Sequence, residues 1–456
     1  MVNMCDSAAK GDDDGPCGSN GCQAISRSDN QRDHSSSASP LCYRCKERRA
    51  VVRTRDKACS DCFSHELERS FRSALRIDCG VSKGTEVIVG LSGGMGSTTL
   101  LHLMLKASTA SAAGRRTSFS IHSVVYVNQR VLLPSRCAAL GVSAREAESE
   151  LRAFVEGKGL TFAAVDAGSS VGFDGGGGGG EQQPSLAELM DDLSQQDVSA
   201  AEEMMEIIRH RDMCWYGSRC GVSKVVLGTC ADQMAKRTLT LTCRGGGASL
   251  PLVAGATDNR FAPCGPSFVR PLKGLSAKEV CIYHHLCHMP TFSKNPFFFD
   301  PPESAAQPPG GLNNLCGSFL QSLQASFPST VPIVNKTAQK LRLVRHDGDD
   351  DYEPDEHVAA QQGQPLGRVG TGVMGLCCGR CLLCFGVRES DRAKDRICRW
   401  SHKQQQVLSL LDGGLRDCLC HSCLRLVSTC TAAAKLASLI TRRQPLASTT
   451  EAASRG

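Results

Sequence analysis

The sequence lacks any run of about 18 apolar residues, which excludes a membrane-spanning helix. Its first 39 residues lack an apolar core and are rich in Ser, Gly and Asp, which excludes a secretory signal there. A large excess of one charge is also missing. Lys plus Arg is 52 and Asp plus Glu is 46, and the net +6 permits an RNA partner without demanding one. What the chain does have is cysteine: 26 in all, eight of them in four Cys-x-x-Cys pairs. The expected compartment is a reducing cytoplasm, where paired cysteines bind metal more often than they form disulfides. At 456 residues the chain is too long for one small core, and two or three folded units are expected.

The chain is organised around residues 86–106. Val87, Ile88, Val89, Gly90 and Leu91 form a short, β-branched apolar run that reads as a strand buried on both faces. Ser92, Gly93, Gly94, Met95, Gly96 and Ser97 follow, and residues 98–106 read as a helix. Strand, glycine-rich loop and helix together make an anion cradle, because glycines bring backbone N–H groups close and the helix start adds its positive dipole end. No Gly-Lys-Ser/Thr closes the loop, so it is not a Walker A motif, nor is it Gly-x-Gly-x-x-Gly. It resembles the SGG-x-[DS]-S loop of the PP-loop ATP pyrophosphatases through Ser92, Gly93, Gly94 and Ser97, with Gly96 where active members carry Asp.

Downstream, residues 120–128 and 161–165 read as strands, with a helix at 146–157 between them. A helix at 201–211, a strand at 224–228 and a further helix continue the alternation. Residues 268–272 then read as a strand, and Ser276 and Glu279 have capping-box spacing at the start of another helix. Strands alternating with helices argue for an α/β fold with a doubly wound parallel sheet. Helix candidates lie at 315–327, stopped by Pro328, Ser329, Thr330 and Val331, and at 337–343. Asp232 reads as a first-turn helix residue. Cys214, Cys220 and Cys230 read as small core residues.

Cys42, Cys45, Cys59 and Cys62 are two thiolate pairs thirteen residues apart, the pattern of a tetrahedral zinc ribbon. Cys381, Cys384, Cys420 and Cys423 form a second expected metal set, with Cys378 competing with Cys384 for Cys381. Between residues 63 and 75, Phe63, Leu67, Phe71 and Leu75 recur every four residues and mark a helix with one apolar face. Arg48, Arg49, Arg53 and Arg55 crowd the first cysteine set, where a ribbon is too small to bury them.

The expected organisation is a disordered tail at 1–40, a four-cysteine ribbon and helix at 41–80 and a PP-loop-like domain at 81–290 with a flexible insertion at 169–185. A helical extension and acidic linker at 291–375, a cysteine-rich module at 376–430 and a tail at 431–456 complete it.

The ordered set formed by these cysteines, Ser92, Gly93, Gly94, Ser97, Arg270, Pro271, Leu272 and residues 327–331 resembles the cytosolic tRNA 2-thiolation subunit two family, across roughly 42 to 425. The resemblance implies a PP-loop, HUP-like sheet flanked by two zinc modules. It also implies a heterodimer with a related catalytic subunit that thiolates the wobble uridine, position 34, of tRNAs for Lys, Glu and Gln. Sulfur would come from a ubiquitin-like thiocarboxylate carrier. ATP would adenylate the uridine O2 before sulfur displaces AMP. The Gly96 departure makes ATP binding by this chain weak at most and marks it as a degenerate, non-catalytic partner. Two other readings remain open: an ATP-using tRNA sulfurtransferase in its own right, and a zinc-bearing RNA-binding protein without a thiolation role.

Overall fold

The computed structural model describes residues 40–54, 56–112, 119–132, 138–171, 185–262, 265–292, 311–341, 381–385, 400–411 and 415–442. The tail at 1–39, the glycine run at 175–180, the acidic stretch at 347–364, Arg55 and Cys378 lie outside the described residues.

The central strand is β3 (Glu86–Gly90), preceded by a two-stranded ribbon, β1 (Val52–Arg53) and β2 (Lys57–Ala58), and by helix α1 (Ser60–Ile77). Val87, Ile88 and Val89 have no exposed surface, as a strand covered on both faces requires. Helix α2 (Met95–Ala112) leads to β4 (Ser120–Asn128), α3 (Ala138–Glu156) and β5 (Phe162–Asp166). Next come α4 (Leu186–Gln196), α5 (Val198–Arg219), β6 (Lys224–Val226), α6 (Ala231–Cys243) and the short α7 (Leu250–Val253). The sheet closes with β7 (Thr257–Asp258) and β8 (Ser267–Val269), and α8 (Ala277–Leu286) follows. Strand order is β5-β4-β3-β6-β8-β7, with β7 antiparallel to β8 and every other pair parallel. The chain reverses its winding direction between β3 and β6, so the glycine loop after β3 opens at the switch point of a doubly wound sheet.

Helix α1 buries Phe63, Leu67, Phe71 and Leu75 in the same apolar cluster as Val87, Leu100 and Met104. Glu68 joins three helices there, accepting from Lys106 Nζ at 2.7 Å on α2 and Tyr283 OH at 2.9 Å on α8. Arg270 of the Arg-Pro-Leu trio is spent internally: its Nη2 reaches Asp258 at 2.8 Å, beside Arg260. These guanidiniums hold the Asp258 carboxyl well below the carboxylate range despite the burial that opposes them.

Helices α9 (Leu312–Ser326) and α10 (Thr330–Lys340) cover α6, with Leu320 and Val331 packed on Ala231 and Ala235. Residues 328–331 do not simply stop a helix, as expected; α10 starts there. Pro332 falls in its first turn, where a missing N–H breaks no helical bond. The insertion expected at 169–185 is also corrected at its start. Ser170 and Val171 are buried, and the Asp212 carboxylate accepts from Gly168 N at 2.9 Å and Ser170 N at 2.8 Å.

The larger correction concerns the C-terminus. After α11 (His402–Leu408) and α12 (His421–Val427), residues 431–442 are not a mobile tail but helix α13 (Thr431–Arg442). Ala433, Ala434, Leu436, Ala437 and Ile440 are buried in one cluster with Leu189, Met190 and Leu193 of α4 and Met204 and Ile208 of α5. Small alanines let helix backbones approach closely, while Lys435 stays on the exposed face. The C-terminal module therefore shares the core of the sheet domain.

His210 on α5 is buried between Phe261 and Phe268, and burial pushes it down to about 3. Its folded value lies below the unfolded value near 6.5. The unfolded chain thus binds the extra proton first, and stability falls as pH drops from about 6.5 towards 3, by at most about 1.4 kcal/mol per pH unit. Urea melts over that window should show a shallower acid slope for His210→Gln than for the wild type. Equal slopes would mean that His210 titrates as an exposed group does.

Candidate functional site

Two tetrathiolate sets are built by the same local chemistry. In the first, Cys42 and Cys45 lie on a knuckle closed by Lys46 N–H donating to Cys42 O at 2.9 Å, with Lys46 at φ 57. Cys59 caps the N-terminus of α1, and Cys62 sits in its first turn. In the second, Phe385 N–H donates to Cys381 O at 2.9 Å, Phe385 has φ 57, Cys420 caps α12 and Cys423 lies in its first turn. Knuckle and helix start face each other in both cases. Within each set the four Sγ atoms lie within 4.8 Å of one another, with Cys45 and Cys59 at 4.0 Å and Cys384 and Cys420 at 3.7 Å. All eight expected ligands are thus brought together, and Cys384 stands with Cys381.

The thiols are electrostatically divided. The backbone N–H of Cys45 holds Cys42 down to about 6, against the burial that would raise it, while Cys62, hydrogen-bonded to Cys59, is pushed up to about 12. In the second set burial opposes ionisation, yet hydrogen bonds from Cys384, Cys420 and Cys423 carry Cys381 well below the usual thiol range. Four thiols within 4.8 Å of one another are a donor set whose protons a divalent cation can replace.

The two sets differ in their surroundings. The first carries Arg44, Lys46, Arg48, Arg49 and Arg53 on exposed surface, with Arg48 paired to Asp61 and Arg44 to Glu66 at 3.4 Å. Cys42 and Cys59 are nonetheless buried with Phe63 and Leu67, as Cys381, Cys420 and Cys423 of the second set are buried with α4, α5 and α13. The Arg211 guanidinium of α5 donates to Leu382 O at 2.9 Å, Leu383 O at 3.2 Å and Ile440 O at 3.3 Å, and lies 4.9 Å over the Phe385 ring. It fastens the Cys381 knuckle to α5 and α13 together.

The glycine loop is closed upon itself. Ser97 Oγ accepts from Ser92 N at 3.2 Å, lies 3.2 Å from Ser92 Oγ and donates to Gly94 O at 3.0 Å. Gly93 takes φ +80, the left-handed region that favours glycine, and its carbonyl accepts from Phe292 N at 3.0 Å. Gly96 meets Gly228, just past β6, backbone to backbone. A Cβ on Gly96 would stand 2.7 Å from Gly228 O, and one on Gly228 would stand 2.5 Å from Gly96 O. An acidic side chain at 96 has no room. Asp232 does not serve the loop either: it accepts from Ala277 N at 2.6 Å and Gln324 Nε2 at 3.0 Å, fixing the starts of α6 and α8 and the end of α9. Cys214 and Cys230 are buried, and burial raises the Cys230 thiol. Sequence reasoning missed Gly228 and Arg211. Gly228 had one signal, a glycine directly after a strand; Arg211 had none, since its acceptors lie 171 residues away or more.

No family model matches the chain. Among curated proteins it is similar to the cytoplasmic tRNA 2-thiolation protein 2 of Danio rerio, 24% identical over 69% of this chain and 70% of that one. The Homo sapiens protein of the same name is 26% identical over 77% and 72%, and that of Phaeosphaeria nodorum 28% over 68% and 82%. Among solved structures, the U34-tRNA thiolase NcsA of Methanococcus maripaludis, determined with its 4Fe-4S cluster, superposes with a TM-score of 0.47 at 16% identity, over 66% of this chain and 86% of that one.

Proposed function

We propose that this chain, similar to the cytoplasmic tRNA 2-thiolation protein 2 of several organisms, acts as a member of that family and supports 2-thiolation of the wobble uridine of tRNA in the cytoplasm without performing the adenylation itself. The observation that carries this reading is the Gly96–Gly228 backbone contact, which leaves no space at the position where active PP-loop enzymes carry Asp. The sheet and loop serve as a frame, and a related subunit with an intact loop supplies the ATP chemistry. Such a subunit, tRNA and a ubiquitin-like sulfur carrier are the partners this reading requires. Isolated protein mixed with ATP and tRNA should release no AMP; robust AMP release would favour an independent sulfurtransferase.

In this reading both cysteine sets hold zinc. Tetrahedral Zn–S bonds of about 2.3 Å place sulfurs about 3.8 Å apart, close to the 4.0 and 3.7 Å separations here. A four-iron cluster carries its thiolates on separate corners of a cube and would spread them wider. Zinc supplies cross-linking of knuckle to helix, and the chain's own residues do the rest. Metal analysis of purified protein should give two zinc ions per chain, one for each tetrathiolate set.

The exposed cations of the first ribbon are the proposed tRNA contact. Arg48, Arg49 and Arg53 lie on the same small unit, joined in sequence by Arg55. Lys and Arg at phosphates give salt-dependent binding with little sequence preference, so the catalytic subunit would select the uridine. Changing Arg48, Arg49, Arg53 and Arg55 to Glu should weaken tRNA binding by the assembled complex and flatten its salt dependence, with zinc content unchanged. Unaltered affinity and salt slope would reduce these residues to a solubilising face.

A further inference from the structure

Resting on the reading of the first ribbon as a tRNA contact, we propose that its outer face is a platform for an unpaired RNA strand, with apolar side chains for the bases set between cations for the phosphates. Side chains alternate between two faces along extended backbone. From residue 49 to residue 53 the alternation is strict: Ala50 and Val52 are buried, while Arg49, Val51 and Arg53 are exposed. Residues directly opposed in an antiparallel pair share a face. Val52 pairs with Ala58, and both are buried; Arg53 pairs with Lys57, and both are exposed. Leu41 forms an antiparallel bridge with Arg49, and both are exposed, while the neighbouring Cys42 turns inward to the thiol cluster. The outward row is therefore Leu41 beside Arg49, then Val51, then Arg53 beside Lys57.

This row carries three cations and no acid. Arg49, Arg53 and Lys57 form no ion pair among the described residues, whereas Arg48 is engaged by Asp61 and Arg44 by Glu66. Between the cations, Leu41 leaves 56% of its surface in water and Val51 66%. A basic face that served only to keep the protein soluble would gain nothing from them, because exposed apolar surface is costly in water.

The combination fits a polyanion that also offers flat apolar surface. Unpaired nucleotides do so: their bases can splay out and lie on apolar side chains or guanidinium planes while their phosphates meet Arg and Lys. A duplex does not, because its bases are stacked inside and it presents chiefly phosphates.

The test uses the full-length, metal-replete chain and fluorescence anisotropy with two probes, a short oligouridine and an RNA duplex of equal length. The wild type should bind the oligouridine more tightly than the duplex at the same salt. Leu41→Gln combined with Val51→Thr keeps side-chain size but makes the row polar. It should weaken oligouridine binding about five- to tenfold, as expected when two aliphatic side chains lose partial burial. Duplex binding, salt slope and metal content should stay unchanged, and Val51→Ile should retain full oligouridine affinity. Replacing Arg49 and Arg53 by Glu tells the platform apart from the tRNA contact beneath it. Weaker tRNA binding by that variant alone, with the apolar variant unaffected, would leave the phosphate contact standing and overturn the platform. No effect of either change would overturn both. Equal affinity of the wild type for the two probes would also overturn the platform. So would an apolar variant that binds RNA normally but no longer retains the related subunit, since the row would then be a protein interface.

Discussion

Cys420→Ser should cost the protein its C-terminal half as a folded unit, whereas Cys42→Ser should release one metal and loosen only the N-terminal ribbon. Cys42 and Cys59 are themselves buried with Phe63 and Val87, so the asymmetry rests on what each set fastens: the first joins one ribbon to α1 beneath exposed cations, the second joins three helices. Cys381, Cys420 and Cys423 are buried in the same cluster as α4, α5 and α13, and Arg211 ties their knuckle to two of those helices. With zinc bound there as proposed, losing one thiolate would leave the other three in a dry site without a full shell, and the knuckle carbonyls held by Arg211 would lose their geometry. Structural zinc contributes folding energy directly, about 10 kcal/mol or more in isolated fingers, so even partial loss is comparable with the whole stability of a typical domain. A Tm lowered on the order of 10 °C or more, or failure to accumulate in soluble form, is the expected result for Cys420→Ser. For Cys42→Ser, limited proteolysis should cut within residues 41–62 while the remainder keeps most of its Tm. Equal destabilisation by the two variants would contradict the embedding of the second set.

Gly96→Asp should destabilise the chain and gain no nucleotide chemistry, although it restores the acidic residue of active PP-loop enzymes. The added Cβ would meet Gly228 O at 2.7 Å, inside any normal contact, and both partners are backbone. No flexible side chain can yield, so β6 or the start of α2 must move, at a cost of about 1–3 kcal/mol. Because Phe292 N–H also holds Gly93 O, the loop cannot shift freely away from Gly228. The outcome to look for is a lowered denaturation midpoint, with ATP producing no thermal shift. A variant as stable as the wild type that binds ATP would mean the loop opens readily, and the degenerate reading would fail.

Local patterns made much of the fold and of the two cysteine clusters legible. The four-residue spacing of Phe63, Leu67, Phe71 and Leu75 found α1, and a β-branched apolar run found β4 at its observed bounds. Ser276 and Glu279 make the capping box that their spacing required. The two four-cysteine clusters were legible because thiol pairs on tight knuckles are a chemical signature independent of the fold. What escaped was whatever depends on distant chain. Helix α13 reads as a basic tail until α4 is seen beneath its alanines. Helix α4 itself, capped by Ser185 and Glu188, was hidden beside the glycine-rich stretch. Asp232 caps a helix 45 residues away, and Gly96 owes its identity to Gly228, a contact that no local window reveals.

The decisive measurement is the 2-thiouridine content of bulk tRNA, determined by mass spectrometry of nucleosides, in cells lacking this chain. Wobble 2-thiouridine should be lost on deletion and should return on re-expression of the wild-type chain but not of Cys420→Ser. An unchanged 2-thiouridine level in the deletion would contradict a role in thiolation and leave a metal-bearing RNA-binding protein.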